Sequence, residues 1–335
     1  MPTVIESLNT ALHQAMSADE RVYLLGEDLL DPYGGAFKVT RGLSTKFSDR
    51  VLTTPVSEAG IVGIAGGMAL RGLRPVVEIM FGDFIALAAD QIINSLTKFP
   101  WMFNDQVDVP IVIRTPMGGR RGYGPTHSQT LEKLFLGVPG LRVLAPSAFG
   151  DPGQLLSQAI LEDSSPVLFV ENKLLYLQKL FDIDTEADFA IASATSPNGY
   201  TPTYTLSIAA APPAILTLTA YGYMAELTKE AMLILAYEHE IFTEMIIPTQ
   251  LAPFELSPLF ESVMRTNRLL TIEEGTFTMG WGAETLARAT EALGSQLHSA
   301  ARVAAQDLPV PASVPMEENM LPSIEDIIQA AQKMV

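Results

Sequence analysis

Short apolar, β-branched runs alternate with segments of helical periodicity along the first half of the chain, and this alternation constrains the fold most. PVVEIM at residues 75–80 has the composition of a buried strand, whereas residues 4–16 place apolar side chains at helical spacing. Parallel strands need a crossover, usually a helix, so the alternation predicts an α/β fold with a mainly parallel sheet. The predicted strands cover residues 21–25, 51–56, 75–80, 109–114, 141–145 and 166–171.

The alternation stops after residue 178 and resumes near residue 214, which predicts two domains. Residues 179–213 are rich in Ala, Ser, Thr and Pro and contain the turn-like SPNG at residues 196–199, so we interpret them as a linker. A chain of 335 residues also exceeds the usual size of one domain. We therefore predict one α/β domain over residues 1–178 and a second, smaller α/β domain over residues 214–335.

The composition excludes several classes of function. No cysteine is present, which removes disulfides, thiolate metal sites and a cysteine nucleophile. The net charge of -17 argues against a nucleic-acid partner, because such binding depends on clustered Lys and Arg. The N-terminus lacks the features of a signal peptide, and no apolar run is long enough to span a bilayer. We therefore expect a cytoplasmic protein with neither a nucleic-acid nor a membrane partner.

Glu58 stands where a predicted strand passes into a helix of small residues. The run at residues 51–56 precedes Ser57, and glycine and alanine recur through residues 59–67. Parallel α/β sheets present their chemistry at the carboxyl ends of the strands, so Glu58 is a candidate site residue on a helix that other groups can approach closely. The structural alternative is that Glu58 only stabilises the helix, through the interaction of its negative charge with the positive N-terminus.

A glycine-rich loop at residues 115–130, TPMGGRRGYGPTHSQT, is long enough to be a binding loop. It carries His127, which can exchange protons near neutral pH, although a lone histidine is often only a surface residue. Arg120 and Arg121 in the same loop suit a carboxylate or a phosphate, or form a solvated pair of charges.

Phe81 and Phe84 follow the predicted strand at residues 75–80 and suit the aromatic wall of a cofactor site, with core packing as the alternative. The sequence has no Walker loop, no Gly-x-Gly-x-x-Gly after a strand, no Gly-x-Ser-x-Gly elbow, and no Gly-Asp-Gly followed by paired asparagines. Any phosphate at the site is therefore expected to be bound by groups outside these motifs.

Several segments occur in an order and spacing that resemble one family. They are Gly26-Glu27-Asp28, TTPVSE at residues 53–58, EIMFGDFIALAADQIIN at residues 78–94, His127-Ser128-Gln129, Pro139-Gly140-Leu141, PVLFVENKLLY at residues 166–176 and DLPVP at residues 307–311. The chain resembles the beta subunit of the thiamine-diphosphate-dependent 2-oxo acid dehydrogenases, the decarboxylating component of the pyruvate, branched-chain and acetoin complexes. The resemblance implies a pyrimidine-binding domain followed by a domain like the C-terminal domain of transketolase.

The same resemblance implies that the cofactor is shared between two kinds of chain. An alpha subunit of an alpha2beta2 heterotetramer would hold Mg2+ and the diphosphate, and this chain the pyrimidine, which accounts for its lack of a diphosphate motif. Glu58 matches the glutamate that bonds a pyrimidine ring nitrogen and relays the proton that activates the cofactor. Phe84 matches the aromatic residue on the pyrimidine, Ile61 is expected to contact the cofactor, and His127 matches a histidine implicated in acyl transfer.

Other family features are matched only in part. Ile160, Asp163 and Ser165 match part of a structural potassium site, in which Ser165 stands where asparagine is common. Residues 211–217 and 244–246 depart from the family pattern in the domain that docks the acyltransferase core. The expected acyl acceptor is therefore a lipoyl-bearing acyltransferase or an acyl carrier protein.

The main hypothesis is a beta subunit that decarboxylates a small 2-oxo acid and passes the acyl group to a lipoyl-type acceptor. One alternative is a related split thiamine-diphosphate enzyme of specialised metabolism that passes an acyl or ketol group to a carrier protein or a sugar phosphate. The other is a non-catalytic scaffold, against which the joint presence of Glu58, Phe84 and His127 argues.

Overall fold

The computed structural model describes residues 1–195 and 199–335, which form two β-sheets flanked by helices. Residues 196–198 of the predicted turn lie outside these ranges. The strands are β1 (Val22–Gly26), β2 (Val51–Thr53), β3 (Arg74–Glu78), β4 (Val112–Met117), β5 (Arg142–Leu144), β6 (Val167–Asn172), β7 (Phe189–Thr195), β8 (Pro202–Ile208), β9 (Leu216–Ala220), β10 (Thr243–Pro248), β11 (Gln250–Ala252), β12 (Arg268–Thr276) and β13 (Ser299–Ala305).

The α-helices pack against these sheets and against one another. They are α1 (Val4–Ala18), α2 (Leu43–Lys46), α3 (Glu58–Leu70), α4 (Phe99–Met102), α5 (Pro152–Leu161), α6 (Tyr223–His239), α7 (Ser257–Thr266), α8 (Trp281–Leu293), α9 (Val314–Met320) and α10 (Ile324–Gln332). Helix α1 begins with a capping box, in which Thr3 Oγ1 accepts from the Glu6 backbone and the Glu6 carboxylate accepts from the Thr3 backbone.

The first sheet has seven strands in the order β11-β5-β6-β4-β3-β1-β2, and neighbours are parallel except for β11 against β5. The second has six strands in the order β13-β12-β9-β10-β8-β7, of which β13, β12, β9 and β10 are parallel. Both sheets are therefore mainly parallel, which confirms the predicted α/β fold.

Successive residues of the central strands enter apolar clusters on opposite faces of the first sheet. Leu24 and Val76 lie in the cluster that includes α1 and α5, whereas Leu25 and Val77 lie in the cluster that includes α3. Burial on both faces explains why these strands are almost continuously apolar. It also holds the first residue of α3 at the carboxyl edge of the sheet.

The structure corrects the predicted linker. Residues 179–213 contain β7 and β8, which pair with each other and join the second sheet through antiparallel pairing of β8 with β10. The threonine and alanine composition concealed these strands, yet buried Thr203 and Leu206 show that part of β8 faces the core. Each sheet with its helices forms one unit of the fold. Strand β11, which follows β10 in the chain, pairs with β5 of the first sheet, so the two units interlock.

The chain after residue 81 departs from a regular α-helix. The chain forms a 3-10 segment (Gly82–Ala88) and a π-helical segment (Gln91–Leu96) before α4. A Cβ on Gly82 would lie 2.2 Å from Met117 Cγ, so close packing on β4 requires glycine there. Among the described residues, no helix combines the length and apolar character that crossing a membrane requires.

Candidate functional site

Glu58 is the first residue of α3, and its side chain is 5% exposed. The neighbouring strand β1 ends at Gly26, directly before Glu27, which is also buried. Burial, with the charges of Glu58 and Asp28, raises the pKa of the Glu27 carboxyl above its ordinary value. Glu27 Oε1 and Thr54 Oγ1 are buried without a hydrogen-bond partner in the described part of the chain. This edge of the sheet thus offers two carboxylates and polar atoms still to be satisfied.

An aromatic corner stands beside the loop that carries His127. The His127 ring is edge-on to Phe81 and Phe84, with ring centroids 4.8 and 5.2 Å away. His127 Nδ1 lies 3.0 Å from Thr126 Oγ1, which leaves Nε2 for another partner. The structure therefore brings together two predicted site residues, Phe84 and His127, that are far apart in sequence.

Asp83 and Gln129 tie this corner together. The buried Asp83 carboxylate accepts from the side-chain amide of Gln129 at 2.9 Å and from its backbone N–H at 3.3 Å. Helix α3 packs against the 3-10 segment that contains Asp83 and Phe84. The Asp83 bonds thus join the aromatic segment to the histidine loop, and the packing of α3 joins that segment to the Glu58 helix.

Lys173 is a site residue that the sequence reasoning missed. It is fully buried after β6, and its ammonium donates to the His127 carbonyl while lying 5.3 Å from the centroid of the Phe81 ring and 5.6 Å from that of Tyr123. Burial lowers the pKa of Lys173 to about 8. A lysine within the apolar stretch PVLFVENKLLY was the available signal, because a lysine is almost never fully buried without a partner.

The predicted substrate residues Arg120 and Arg121 face different neighbours. The Arg120 guanidinium donates to the Pro322 carbonyl, and its Nε lies 3.9 Å from the Glu274 carboxylate. The Arg121 guanidinium donates to the Lys173 carbonyl at 3.3 Å. These contacts favour a structural role for Arg120 between the two units, and they place Arg121 nearer to the residues around His127.

Ile61 lies one turn beyond Glu58 and is buried in the apolar cluster with Val62 and Ile85. Phe84 packs against the same cluster. The observed contacts of Ile61 are thus those of a core residue, and its predicted contact with a cofactor stays a prediction.

The loop of the predicted potassium site is engaged by arginines. Arg74 Nη1 donates to the carbonyls of Ile160 at 2.7 Å and Asp163 at 3.0 Å. The Asp163 carboxylate accepts from Arg142 Nε at 2.7 Å, and its other oxygen accepts from the Ser165 backbone. As arranged, the loop does not fit a potassium ion, since the Arg74 guanidinium already donates to both carbonyls. In the described part of the chain, no group of three or more His, Asp and Glu side chains could hold a metal.

A buried ion cluster supports the three central strands behind the site. Arg114 on β4 donates to Glu78 on β3 at 2.7 Å and makes two bonds of 2.8 Å to Glu171 on β6. The Tyr176 hydroxyl donates to Glu171 at 2.6 Å. Each charge ends an apolar run in the sequence, which was the signal for a paired set at the carboxyl ends of adjacent strands.

Comparisons with known proteins agree with this fold. The family described as "Transketolase, pyrimidine binding domain" matches residues 1–178, and "Transketolase, C-terminal domain" matches residues 213–327. A solved structure described as "Split gene transketolase, inactive beta4 tetramer" superposes with a TM-score of 0.74 at 20% identity, covering 99% of this chain and 97% of that one. The fold and these family matches therefore define a protein of the transketolase type.

Individual relatives identify the family within this class to which the chain belongs. Pyruvate dehydrogenase E1 component subunit beta-1, mitochondrial, of Oryza sativa subsp. japonica is 39% identical over 333 residues, covering 99% of this chain and 86% of the relative. The corresponding beta subunit of Rattus norvegicus is 37% identical over 337 residues, covering 99% and 90%. The chain belongs to the family of pyruvate dehydrogenase E1 component beta subunits, which confirms the resemblance drawn from its motifs.

Proposed function

We propose that this chain is the beta subunit of a decarboxylating component that acts on a small 2-oxo acid with thiamine diphosphate. The observation that carries the proposal is the placement of buried Glu58 at the carboxyl edge of the sheet, with Phe84 on the segment packed against its helix and His127 against Phe84. Thiamine diphosphate would supply the electron sink that loss of carbon dioxide from a 2-oxo acid requires.

The residues of this edge fit the pyrimidine part of that cofactor. Glu27 Oε1 and Thr54 Oγ1 are buried polar atoms that still need partners, and Phe84 offers an apolar ring surface. Glu58 would hold a proton on its carboxyl group against a ring nitrogen, a role that its amide counterpart could not perform. Glu58 is 5% exposed, so a ring nitrogen bound to its carboxyl group would be shielded from bulk water.

His127 and Arg121 would act on the substrate side of the site. The Nε2 atom of His127 can exchange a proton with a substrate or with an acyl acceptor. Arg121 is exposed and cationic, as binding of a 2-oxo acid carboxylate requires. The role of His127 follows from the family match and from its position beside Phe81 and Phe84. The role of Arg121 follows from its charge and from its hydrogen bond to the Lys173 carbonyl.

An alpha subunit is the proposed partner at this edge. Large apolar side chains are exposed on α3 and on the segments next to it: Val56 is 79% exposed, Ile64 on α3 is 63% exposed, and Leu87 is 62% exposed. Such a patch indicates a protein interface. An alpha chain that covers it would bring the residues that hold Mg2+ and the diphosphate, in an alpha2beta2 assembly. The acyl acceptor would be a lipoyl-bearing acyltransferase or an acyl carrier protein, and a cytoplasmic location stays a prediction.

Co-expression with a candidate alpha chain from a neighbouring reading frame tests the proposal. Release of carbon dioxide from pyruvate and from branched-chain 2-oxo acids, dependent on added thiamine diphosphate, is the expected result. Turnover of a sugar phosphate with no 2-oxo acid used, or a formed complex that retains no thiamine diphosphate by mass spectrometry, would contradict it.

A further inference from the structure

The backbone N–H groups of the glycine-rich loop point at a carboxylate of the second unit. The N–H of Arg120 donates to Glu317 Oε1 at 2.7 Å, and the N–H of Gly122 donates to Glu317 Oε2 at 2.9 Å. The loop follows β4 of the first sheet, whereas Glu317 lies on α9. One side chain of the second unit thus bonds two residues of the loop that carries His127.

A second carboxylate binds the preceding residue. The N–H of Gly119 donates to Glu274 Oε1 on β12 at 2.7 Å. Glu274 is 4% exposed and Glu317 is 1% exposed, so both charges depend on these N–H groups for the hydrogen bonds that water would otherwise supply. Hydrogen bonds to charged groups are about twice as strong as neutral ones.

The backbone of the loop is shaped for such acceptors. Gly118, Arg120 and Gly122 have φ values of 98°, 65° and 67°. Alternating left-handed residues turn successive N–H groups to one side, which forms a concavity that binds anions. The left-handed conformation is unfavourable for a side chain such as that of Arg120, so the carboxylates must offset its cost.

The DLPVP segment at residues 307–311 prepares the position of α9. Asp307 accepts from the backbone of Thr278 at 2.9 Å and from its hydroxyl at 2.6 Å. The chain then enters α9, which presents Glu317 to the loop. This gives a physical role to a motif that the proposed chemistry does not use.

We propose that Glu317 and Glu274 are positioning residues for His127, so that the second unit sets the conformation of the catalytic loop of the first. No regular helix or strand lies between Gly118 and His127, so contacts with other elements fix the path of the loop, among them the carboxylate bonds at one end and the Lys173 bond at the other. The catalytic consequence rests on the proposed function, whereas the effect on the loop does not.

The test compares Glu317→Gln with Glu318→Gln, a change at the exposed neighbouring residue. Glutamine keeps the size of the side chain but directs an N–H at the loop in place of one accepting oxygen. Two rates are measured by mass spectrometry on the full chain: trypsin cleavage after exposed Arg121, and modification of His127 by diethyl pyrocarbonate. We expect each rate to change by about tenfold in Glu317→Gln, with exposed His239 and His298 as internal references.

The third measurement is the decarboxylase activity of the complex assembled with the alpha chain. Glu317→Gln should lower kcat for the 2-oxo acid by about tenfold, with KM and the thermal unfolding midpoint close to those of Glu318→Gln. Unchanged cleavage and modification rates would overturn the proposal, as would a loosened loop with unchanged kcat. If Glu317→Gln does not fold, Glu274→Gln is compared with Glu284→Gln in the same way. A wild-type complex without decarboxylase activity would contradict the proposed function, while the two rates on the full chain would still decide whether the carboxylates hold the loop.

Discussion

The ammonium group of Lys173 donates a hydrogen bond to the backbone carbonyl of His127, with the Phe81 and Tyr123 rings beside it. This contact joins the end of β6 to the loop that carries the histidine. A buried cation is costly, and burial accordingly lowers the pKa of Lys173 to about 8. The contact therefore holds the loop at some cost to the stability of the folded chain.

Replacing Lys173 with methionine should separate these two effects. Lys173→Met fills a similar volume without the charge, so we expect the free energy of unfolding to change by less than about 1 kcal/mol or to rise. Decarboxylation by the assembled complex should fall by about tenfold because the histidine loop loses a fixed contact. Exposed Lys179→Met is the control. Activity equal to that of the control would contradict the role given to Lys173.

Arg114 should be essential to the stability of the first sheet. Arg114→Met leaves Glu78 and Glu171 as buried carboxylates without their cation, so we expect a loss of about 3–5 kcal/mol in the free energy of unfolding. Urea denaturation followed by circular dichroism measures this loss, with exposed Arg41→Met as the matched control. A loss no larger than that of the control would show that the cluster does not stabilise the fold.

Glu273 should make stability depend on pH. Burial is the main cause that raises its pKa from 4.5 to about 7, and nearby Glu132 adds to it, against the N–H groups of Trp281 and Gly282. Between these values the folded chain keeps a proton that the unfolded chain has released, so the free energy of unfolding falls as pH rises through the window. Glu273→Gln should remove up to about 3 kcal/mol of this fall. Parallel pH profiles for the two proteins would contradict the raised pKa.

Potassium should not stabilise this chain. Arg74 already donates to the Ile160 and Asp163 carbonyls, so a potassium ion would have to displace a guanidinium. We expect the same thermal unfolding midpoint in potassium chloride and sodium chloride at equal ionic strength. A midpoint raised by potassium alone in the wild-type chain would show that Arg74 yields the site to the ion.

The order of strands and helices in the first sheet was predictable because apolar periodicity reports burial directly. Strands β7 and β8 were not, since their threonine and alanine residues have a composition typical of a linker, and only pairing with β10 makes them strands. The 3-10 turns at Gly82–Ala88 were also beyond sequence reasoning. They depend on the close approach of Gly82 to Met117, a contact between distant parts of the chain.

The candidate site was predictable where one residue stands at a strand end, as Glu58 does. The residues that hold the site in place were harder to find, because their role depends on partners from other elements. Glu317 is an ordinary acidic residue in a short helix until the loop N–H groups are placed against it. The charge of Arg120 predicts a substrate contact, whereas in the structure its backbone is left-handed and its guanidinium donates to the Pro322 carbonyl.

Decarboxylation by the Glu58→Gln complex tests the central claim most directly. Glutamine preserves the size of the buried side chain but cannot hold and release the proton that Glu58 is proposed to relay. We predict that thiamine-diphosphate-dependent release of carbon dioxide falls by about 10²–10⁴-fold. Assembly with the alpha chain should stay equal to that of exposed Glu20→Gln. Activity of the Glu58→Gln complex equal to wild type would contradict the account.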